Sequence, residues 1–231
     1  MISSIEQLAA MIDVSAVRAD SDWDDVRLAA LFARQRGCVA VFSLPGFTKE
    51  LAKLLDGATK TVVGGVIGFP SGGETTTAKV FLAQELIGLG CSEIDMVMNI
   101  GQLRSGWLEQ VENDIRSVKQ SIGSVPLKVI LECNKISEDQ IRIASELAVR
   151  AEADWVKTGT GWTAGGTTVQ QIQIIKQTIG NKARIKAAGG IGDLKTLLEL
   201  HQAGAERFGI GYKKAQDIFD ELVTSSQMSE L

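Results

Sequence analysis

The sequence predicts an α/β fold in which residues 1–231 form a single (β/α)8 barrel domain. Eight strand-like apolar runs alternate with eight helix-like runs, and strict alternation of this kind indicates a parallel sheet. No Pro/Ser-rich linker and no shift in composition divides the chain. An open doubly wound sheet is the alternative, but it would more often have fewer strands and a glycine-rich fingerprint after the first one, which is absent.

The first half of the chain supplies four strand–helix units. Residues 8–13 form a short apolar run that ends in an acid, which predicts the first strand. The helix predicted next has apolar residues at helical spacing, and Gly37 ends it. The remaining strands are predicted over 38–42, 61–70 and 93–99, and the helices over 22–35, 49–55, 76–89 and 107–121.

The second half continues the alternation without a break. Its strands are predicted within 127–133, 153–161, 185–192 and 207–211, and its helices over 138–151, 168–179, 194–203 and 214–225. The sixth and seventh strands open into stretches rich in glycine and threonine or in glycine alone.

Composition and charge exclude several classes of function. The net charge of −4 gives no basic surface, which argues against nucleic acid or an anionic membrane as a partner. No apolar run is long enough to span a bilayer, and the first residues lack the pattern of a secretory signal. Three widely spaced cysteines predict free thiols and a cytoplasmic location. With one histidine, His201, neither a zinc site nor a Ser-His-Asp triad is expected.

Two strands each contain a lysine where a buried strand normally carries Val or Ile. Lys157 precedes a Gly/Thr loop, and Lys186 precedes a Gly loop. A lone lysine of this kind more often reflects a misplaced boundary or a snorkelling side chain, but two in neighbouring strands favour a function. Two buried ammonium groups repel each other, so one should lose its proton more readily. A neutral amine attacks carbonyl carbon, which begins Schiff-base chemistry.

Polar residues cluster where the predicted strands end, which is where barrels of this type carry their active sites. The rule selects Asp13, Asp95, Asn99, Glu132, Lys157, Thr158 and Lys186. Alternation along the strands places Asp95 and Lys157 on faces that can both point into the barrel. Alternatives remain open for three of these residues. Asp13 can be a turn residue, Asp95 a helix cap or an arginine partner, and Glu132 part of a structural ion pair.

Glycines near the ends of the last strands predict a phosphate site. Gly189 and Gly190 follow the seventh strand, while Gly209 and Gly211 close the eighth. Bare backbone N–H groups and a helix N-terminus supply the donors at such a site. Thr160 and Gly161 add a further contact at the rim.

Five segments in register resemble the 2-deoxyribose-5-phosphate aldolase family. They are Val66-Ile67-Gly68-Phe69-Pro70, the stretch 93–101, Val129-Ile130-Leu131-Glu132, the stretch 156–161 and the stretch 185–191. The resemblance implies a class I, metal-free and cofactor-free aldolase that cleaves a deoxy-sugar phosphate reversibly to acetaldehyde and glyceraldehyde 3-phosphate. It implies that Lys157 is the Schiff-base lysine, that Lys186 is the cation that lowers its pKa, and that Asp95 relays protons.

The same resemblance gives the expected partners. A small aldehyde or sugar-phosphate substrate is expected to contact Asp13, Ser15, Asn99, Thr158 and Thr160, and a homodimer or other homo-oligomer is expected. The chain departs from the family pattern around Ser15 in the first strand, at Cys133 and Gly159, and around Gly211. Two alternatives remain: an isomerase or epimerase that uses Asp95 or Glu132 as base without a covalent step, and a non-catalytic barrel that binds a sugar phosphate.

Overall fold

The computed structural model describes residue 2 and residues 4–228, and within them eight parallel strands close into a barrel. Each strand pairs with its neighbour in sequence, and the last pairs back to the first. The predicted (β/α)8 barrel is confirmed; residues 1, 3 and 229–231 of the predicted domain lie outside the described residues. The strands are β1 (Ile12–Ala16), β2 (Ala40–Ser43), β3 (Val62–Ile67), β4 (Glu93–Val97), β5 (Leu127–Ile130), β6 (Trp155–Lys157), β7 (Arg184–Ala188) and β8 (Arg207–Gly211).

Helices surround the barrel and follow the predicted order. They are α1 (Ile5–Ala9), α2 (Trp23–Arg36), α3 (Thr48–Leu54), α4 (Thr76–Gly88), α5 (Ile100–Arg104), α6 (Leu108–Ile122), α7 (Glu138–Arg150), α8 (Val169–Ile179), α9 (Leu194–Ala203) and α10 (Tyr212–Met228). Two of them, α1 and the single-turn α5, are additional to the eight predicted. No helix among the described residues combines the length and apolar character needed to cross a membrane.

The predicted first strand over 8–13 is wrong in its position. Leu8 and Ala9 belong to α1, whose N-terminus is capped by Ser4: the Ser4 hydroxyl accepts a hydrogen bond from the Gln7 N–H at 3.2 Å. The strand runs over Ile12–Ala16, so Asp13 lies inside it rather than at its end. A short apolar run does not distinguish a buried helix from a strand, and the capping serine was the signal that separated them.

Most helix boundaries follow the local capping signals in the sequence. Asp22 and Asp25 form a reciprocal capping box at the start of α2, and Thr168 and Gln171 form another at the start of α8. At the end of α2, Gly37 adopts a left-handed conformation with φ of 73°, which glycine tolerates best. These signals hold the helices in the places that the periodicity predicts.

The two faces of the strands differ in chemistry. Outward-facing residues such as Val14, Val156 and Ile185 are fully buried in one apolar core shared with the helices. Inward-facing residues include several charged side chains, an apolar cluster of Ala40, Phe42 and Val66, and a few further apolar side chains such as Val97, Ile130 and Trp155. The barrel interior is therefore the region that positions the candidate site.

Candidate active site

Lys157 and Lys186 lie side by side in the barrel interior. They are direct partners in the register of β6 and β7, so their side chains leave the sheet on the same face. The Lys157 and Lys186 ammonium groups donate to the same oxygen of Asp95, Oδ2, at 2.7 Å and 2.8 Å. The exposed fractions of Lys157, Lys186 and Asp95 are 6%, 1% and 0%. The structure thus brings together two buried amines and one carboxylate that the sequence singled out separately.

A second carboxylate distinguishes Lys186 from Lys157. The Lys186 Nζ lies 2.6 Å from Oδ2 of Asp13, in addition to its contact with Asp95. Asp13 accepts a further hydrogen bond from Arg207 Nη1 at 2.7 Å, which holds the carboxylate in place. Lys186 is therefore neutralised on two sides, whereas Lys157 has Asp95 alone as a carboxylate partner among the ion pairs of the described residues.

Three charged residues that the sequence reasoning missed complete the network. Lys128 of β5 lies with its Nζ 2.9 Å from Glu93 Oε2 and 3.2 Å from Asp95 Oδ1. Glu93 also lies 3.5 Å from Arg207 Nη1. Two signals were available in the sequence. Glu93 lies two residues before Asp95, and residues two apart in a strand share a face. Lys128 is a charged residue within an otherwise apolar strand.

The surroundings lower the pKa of Lys157 to about 8. Burial is the largest cause, because it disfavours the charged form, and the positive charges of Lys186 and Lys128 add to it against the opposing effect of Asp95. At pH 7 a group with this pKa is about one-tenth unprotonated, against roughly 0.03% for an ordinary lysine. Lys157 is thus the amine with nucleophilic character.

The pKa of Lys186 moves in the opposite direction. Burial lowers it, but the charges of Asp13 and Asp95, with Glu93 behind them, outweigh burial and raise the pKa above its usual value. For Asp95, burial raises the pKa, while Lys128, Lys157 and Lys186 together lower it well below its usual range. Near neutral pH, Asp95 is therefore ionised in the resting site and Lys186 is a permanent cation.

A cavity of about 590 Å³ opens above these groups at the carboxyl ends of the strands. Its wall includes Lys157, Lys186 and most of the other residues predicted for the site. These are Asp13, Ser15, Thr160, Gly161, Gly189, Gly190, Gly209 and Gly211. The carboxylate of Asp13 lies at the bottom of the cavity, where its charge is neutralised by Lys186 and Arg207.

One side of the cavity is a rim of glycines. Gly161, Gly189 and Gly190 all have positive φ, and a Cβ on Gly190 would lie 2.3 Å from the Cα of Gly166. Helix α10 begins at Tyr212, directly after Gly211, so its first N–H groups lie next to this rim and have no intrahelical partners. Lys213 and Lys214 also line the cavity. The rim can hold an anionic group of a ligand.

Asn99 and Thr158, two residues predicted to contact a substrate, are not among the residues that line the cavity. The Asn99 side chain caps α5 by accepting a hydrogen bond from the Gln102 N–H at 3.0 Å. The Thr158 hydroxyl accepts from the Ala188 N–H at 3.0 Å and so joins the end of β6 to β7. Both side chains support the strand ends beside the site.

Glu132 holds the loop after β6 instead of pairing with either central lysine. Its carboxylate accepts hydrogen bonds from the Thr160 N–H, at 3.2 Å, and from the Thr160 hydroxyl. Glu132 adopts a left-handed conformation with φ of 54°, which is strained for a residue with a side chain. The same loop carries Trp162, whose indole N–H donates to the Val17 carbonyl at 2.8 Å across the cavity mouth.

Among the described residues, no group of three or more His, Cys, Asp or Glu side chains is arranged to hold a metal ion. The buried ionisable groups below the cavity form ion pairs with one another. The arrangement offers one partly neutral amine, a fixed cation beside it, a shared carboxylate below, and an anion-binding rim above.

Proteins of similar sequence are aldolases, which agrees with a site built around a reactive lysine. The model of the DeoC/LacD family aldolases matches residues 8–219. A deoxyribose-phosphate aldolase from Sinorhizobium medicae (strain WSM419) is 44% identical over 211 residues, which cover 91% of this chain and 85% of that protein.

Two solved structures share the barrel. The structure of QR15, an aldolase, superposes with a TM-score of 0.89 at 30% identity and covers 99% of both chains. A tetrameric deoxyribose phosphate aldolase from Aeropyrum pernix has a TM-score of 0.86 at 24% identity, covers 97% of this chain and 94% of its own, and shares the fold. The match over residues 8–219 and the identity to the curated relative establish that this chain belongs to the DeoC/LacD family of aldolases.

Proposed function

We propose that this protein is a class I aldolase that reversibly cleaves 2-deoxyribose 5-phosphate, or a related sugar phosphate, to acetaldehyde and glyceraldehyde 3-phosphate. The single observation that carries the proposal is the pair of buried amines on one carboxylate oxygen, Lys157 and Lys186 on Asp95. Family membership supports the reaction class, because the curated relative from Sinorhizobium medicae is named a deoxyribose-phosphate aldolase.

Lys157 provides the nucleophile. Its neutral amine attacks the C1 aldehyde of the open-chain sugar, and loss of water from the resulting carbinolamine gives a protonated imine. A pKa of about 8 makes this step possible near neutral pH without an external base. The position of Lys157 in the cavity wall allows the bound carbon chain to extend toward the opening.

Carbon–carbon cleavage follows on the protonated imine. Removal of the proton from the C3 hydroxyl turns that oxygen into a carbonyl, the C2–C3 bond breaks, and its electron pair moves into the iminium to form an enamine. Glyceraldehyde 3-phosphate leaves with C3 to C5. Protonation of the enamine at C2 and hydrolysis of the imine then release acetaldehyde and restore the Lys157 amine.

Lys186 and Asp95 serve the proton transfers. Lys186 stays charged between Asp13 and Asp95, so its field favours the neutral form of Lys157 and it can donate a hydrogen bond to developing oxygen charge. Asp95, ionised at rest, relays protons by passing them transiently between the Lys157 and Lys186 ammonium groups, which both donate to its Oδ2. Its low pKa and complete burial give it a second task, which is to fix both amines at about 2.7–2.8 Å from one oxygen.

The substrate phosphate binds at the glycine rim. Gly161, Gly189, Gly190, Gly209 and Gly211 line the cavity opposite the barrel floor, and the N-terminus of α10 contributes backbone donors there. Ser15 and Thr160 hydroxyls contact the sugar hydroxyls between the amine and the rim. Asn99 and Thr158 act indirectly, through the strand ends that they hold.

The whole chain, residues 1–231, forms one aldolase domain, and it works as a homodimer or other homo-oligomer. Support for self-association comes from Trp23, Leu28 and Leu31 of α2, which are large apolar residues with exposed fractions of 37%, 39% and 45%. Light scattering after size-exclusion chromatography tests this directly, and a monomer at micromolar concentration would contradict it.

The alternatives left open by the sequence have less support. An isomerase without a covalent step needs Asp95 or Glu132 as a free base, but Asp95 is neutralised by lysines and Glu132 is bonded to Thr160. A non-catalytic sugar-phosphate sensor has no need of a lysine with a lowered pKa. No contact among the described residues favours either over the aldolase.

Borohydride trapping tests the proposal. We expect that incubation with 2-deoxyribose 5-phosphate and sodium borohydride gives a stable adduct, which peptide mass spectrometry locates on Lys157. Lys182, an exposed lysine, provides the matched control, because Lys182→Met should trap like the original protein and Lys157→Met should not. An adduct that survives Lys157→Met unchanged would refute the imine on this residue.

A further inference from the structure

The charged groups of the barrel interior are distributed unevenly among the strands. The members of the ion-pair network around Lys157 and Lys186 come from β1 and from β4 to β8. They are Asp13, Glu93, Asp95, Lys128, Lys157, Lys186 and Arg207. The residues of β2 and β3 include no ionisable side chain at all. On that side, the interior is closed by one aromatic ring, Phe42.

Phe42 lies against all three lysines of the network. Its ring centroid is 4.1 Å from the Nζ of Lys186, 5.0 Å from that of Lys128 and 6.0 Å from that of Lys157. The side chain is buried, with 3% of its surface exposed, yet it forms part of the cavity wall. The ring therefore lies between the three amines and the β2 side of the barrel interior.

Gly64 of β3 makes room for this ring. A Cβ on Gly64 would lie 2.2–2.6 Å from three ring atoms of Phe42, much closer than any real contact. Gly64 has no positive φ, so its backbone does not itself require glycine. The ring of Phe42 therefore explains why residue 64 is a glycine. Any larger residue there would push the ring away from the lysines.

The ring has two physical effects on the amines. Its electron-rich face attracts an ammonium group within about 6 Å, and Lys186 at 4.1 Å benefits most. With Asp13 and Asp95 on its other sides, Lys186 then has favourable contacts only as a cation. The same ring fills space that water would otherwise occupy next to Lys157, and a dry environment favours the neutral amine.

We propose that Phe42 is a positioning residue for the imine chemistry, since it holds Lys186 as the permanent cation and keeps water away from Lys157. This inference rests on the proposed function of Lys157. It adds a residue outside the charged network that strengthens the difference that Asp13 creates between the two neighbouring amines. The quantity it predicts is the pH at which Lys157 becomes reactive.

Two substitutions at Phe42 separate the two effects. Phe42→Ala removes the ring and opens space for water, so the acid limb of the pH profile for borohydride trapping should move up by about one pH unit. Trapping at pH 7 should then fall by about tenfold. Phe42→Leu removes the aromatic face but keeps most of the apolar volume that excludes water from Lys157, so we expect a smaller shift in the same direction.

A pair of glycine variants tests the same idea without changing Phe42. Gly64→Ala must displace the ring, whereas Gly65→Ala points to the other face of β3, where its Cβ would meet Leu86 at 2.9 Å. Both variants crowd the strand and should lower stability. Only Gly64→Ala should move the acid limb upward.

The outcomes distinguish this inference from the proposed function. If the original protein forms no adduct at any pH, the imine on Lys157 is refuted. If it forms the adduct and the acid limbs of Phe42→Ala and Gly64→Ala coincide with that of the original protein, the role of Phe42 is refuted. A uniform loss of trapping at every pH, with an unchanged limb, would reduce Phe42 to a packing residue and also overturn the proposal.

Discussion

The outer and inner faces of the barrel strands differ in what they bury: apolar side chains on the outer face and paired charges on the inner face. On the outer face, Val156 and Ile185 are fully buried among the apolar residues of the surrounding helices. On the inner face, their sequence neighbours Lys157 and Lys186 are buried among charges. Because successive residues of a strand point to opposite faces, a single strand carries both environments. The comparison shows that stability and chemistry are encoded in alternate residues of the same segments.

The energetic consequences of the two faces differ. Burying a large apolar side chain stabilises a fold by about 1.5–3 kcal/mol. A buried network of charges stabilises little, because desolvation offsets most of the attraction, although removing one partner leaves others uncompensated. Substitutions on the outer face should therefore affect folding alone, while those on the inner face should affect reactivity and, where they leave a buried charge without a partner, folding as well. Four predictions test this division, and the largest effect comes first.

Lys157→Met should reduce kcat/KM for cleavage of 2-deoxyribose 5-phosphate by about 10⁴-fold or more, because no imine can form. The urea midpoint should stay the same or rise at neutral pH, since an apolar side chain replaces a buried amine. A coupled assay for glyceraldehyde 3-phosphate and urea denaturation measure both effects. Loss of folding in this variant would contradict the functional interpretation of the inner face.

Asp95→Asn should impair both properties. Lys128, Lys157 and Lys186 all lose a shared counter-charge, so the free energy of unfolding should fall by about 3–5 kcal/mol. We expect activity to fall by roughly 10²–10³-fold because the amines lose their common anchor. Urea denaturation and steady-state kinetics check the two numbers. A fully active, fully stable Asp95→Asn protein is incompatible with a shared role for this carboxylate.

Ile185→Ala should affect folding alone. It leaves a cavity between β7 and the helices, and such truncations lower the free energy of unfolding by about 2–5 kcal/mol. At a temperature where the variant remains folded, kcat/KM should stay within about threefold of the original. Lys186→Met, one residue along the strand, should by contrast lose most of its activity even at a temperature where it remains folded, and it should also lose stability because Asp13 and Asp95 each have one counter-charge fewer.

The smallest effect concerns pH. The pKa of Lys157 is about 8 in the folded protein and 10.5 ordinarily, so between these values the unfolded chain binds more protons. The free energy of unfolding therefore gains up to about 1.4 kcal/mol per pH unit from this group as pH rises from 8 toward 10.5. Lys157→Met should lack this contribution, and urea titrations at several pH values compare the two proteins. Parallel curves would mean that the pKa is not lowered.

Much of the division between an apolar outer face and a charged inner face could be predicted from the sequence. Regular alternation of strand and helix patterns predicted the barrel, and the rule for strand ends brought Lys157, Lys186 and Asp95 together. Local patterns work here because each strand has a strict period of two, and because the carboxyl ends of all strands meet at one end of a barrel.

Other features depend on information that local patterns lack. The roles of Lys128, Arg207 and Phe42 depend on which strand residues face the barrel axis and at what height, and that is set by the stagger of all eight strands. Asn99 was predicted to contact a substrate because it follows β4. The signal for its cap, an amide three residues before Gln102 in a single-turn helix, is weak on its own.

The central claim is that two adjacent buried lysines have pKa values displaced in opposite directions. An NMR titration of isotope-labelled lysine ε-carbons, assigned with Lys157→Met and Lys186→Met, measures both values in the intact protein. We predict that Lys157 titrates near pH 8 while Lys186 remains charged beyond pH 10.5. Titration of Lys157 near 10.5, or of Lys186 before Lys157, would contradict the account.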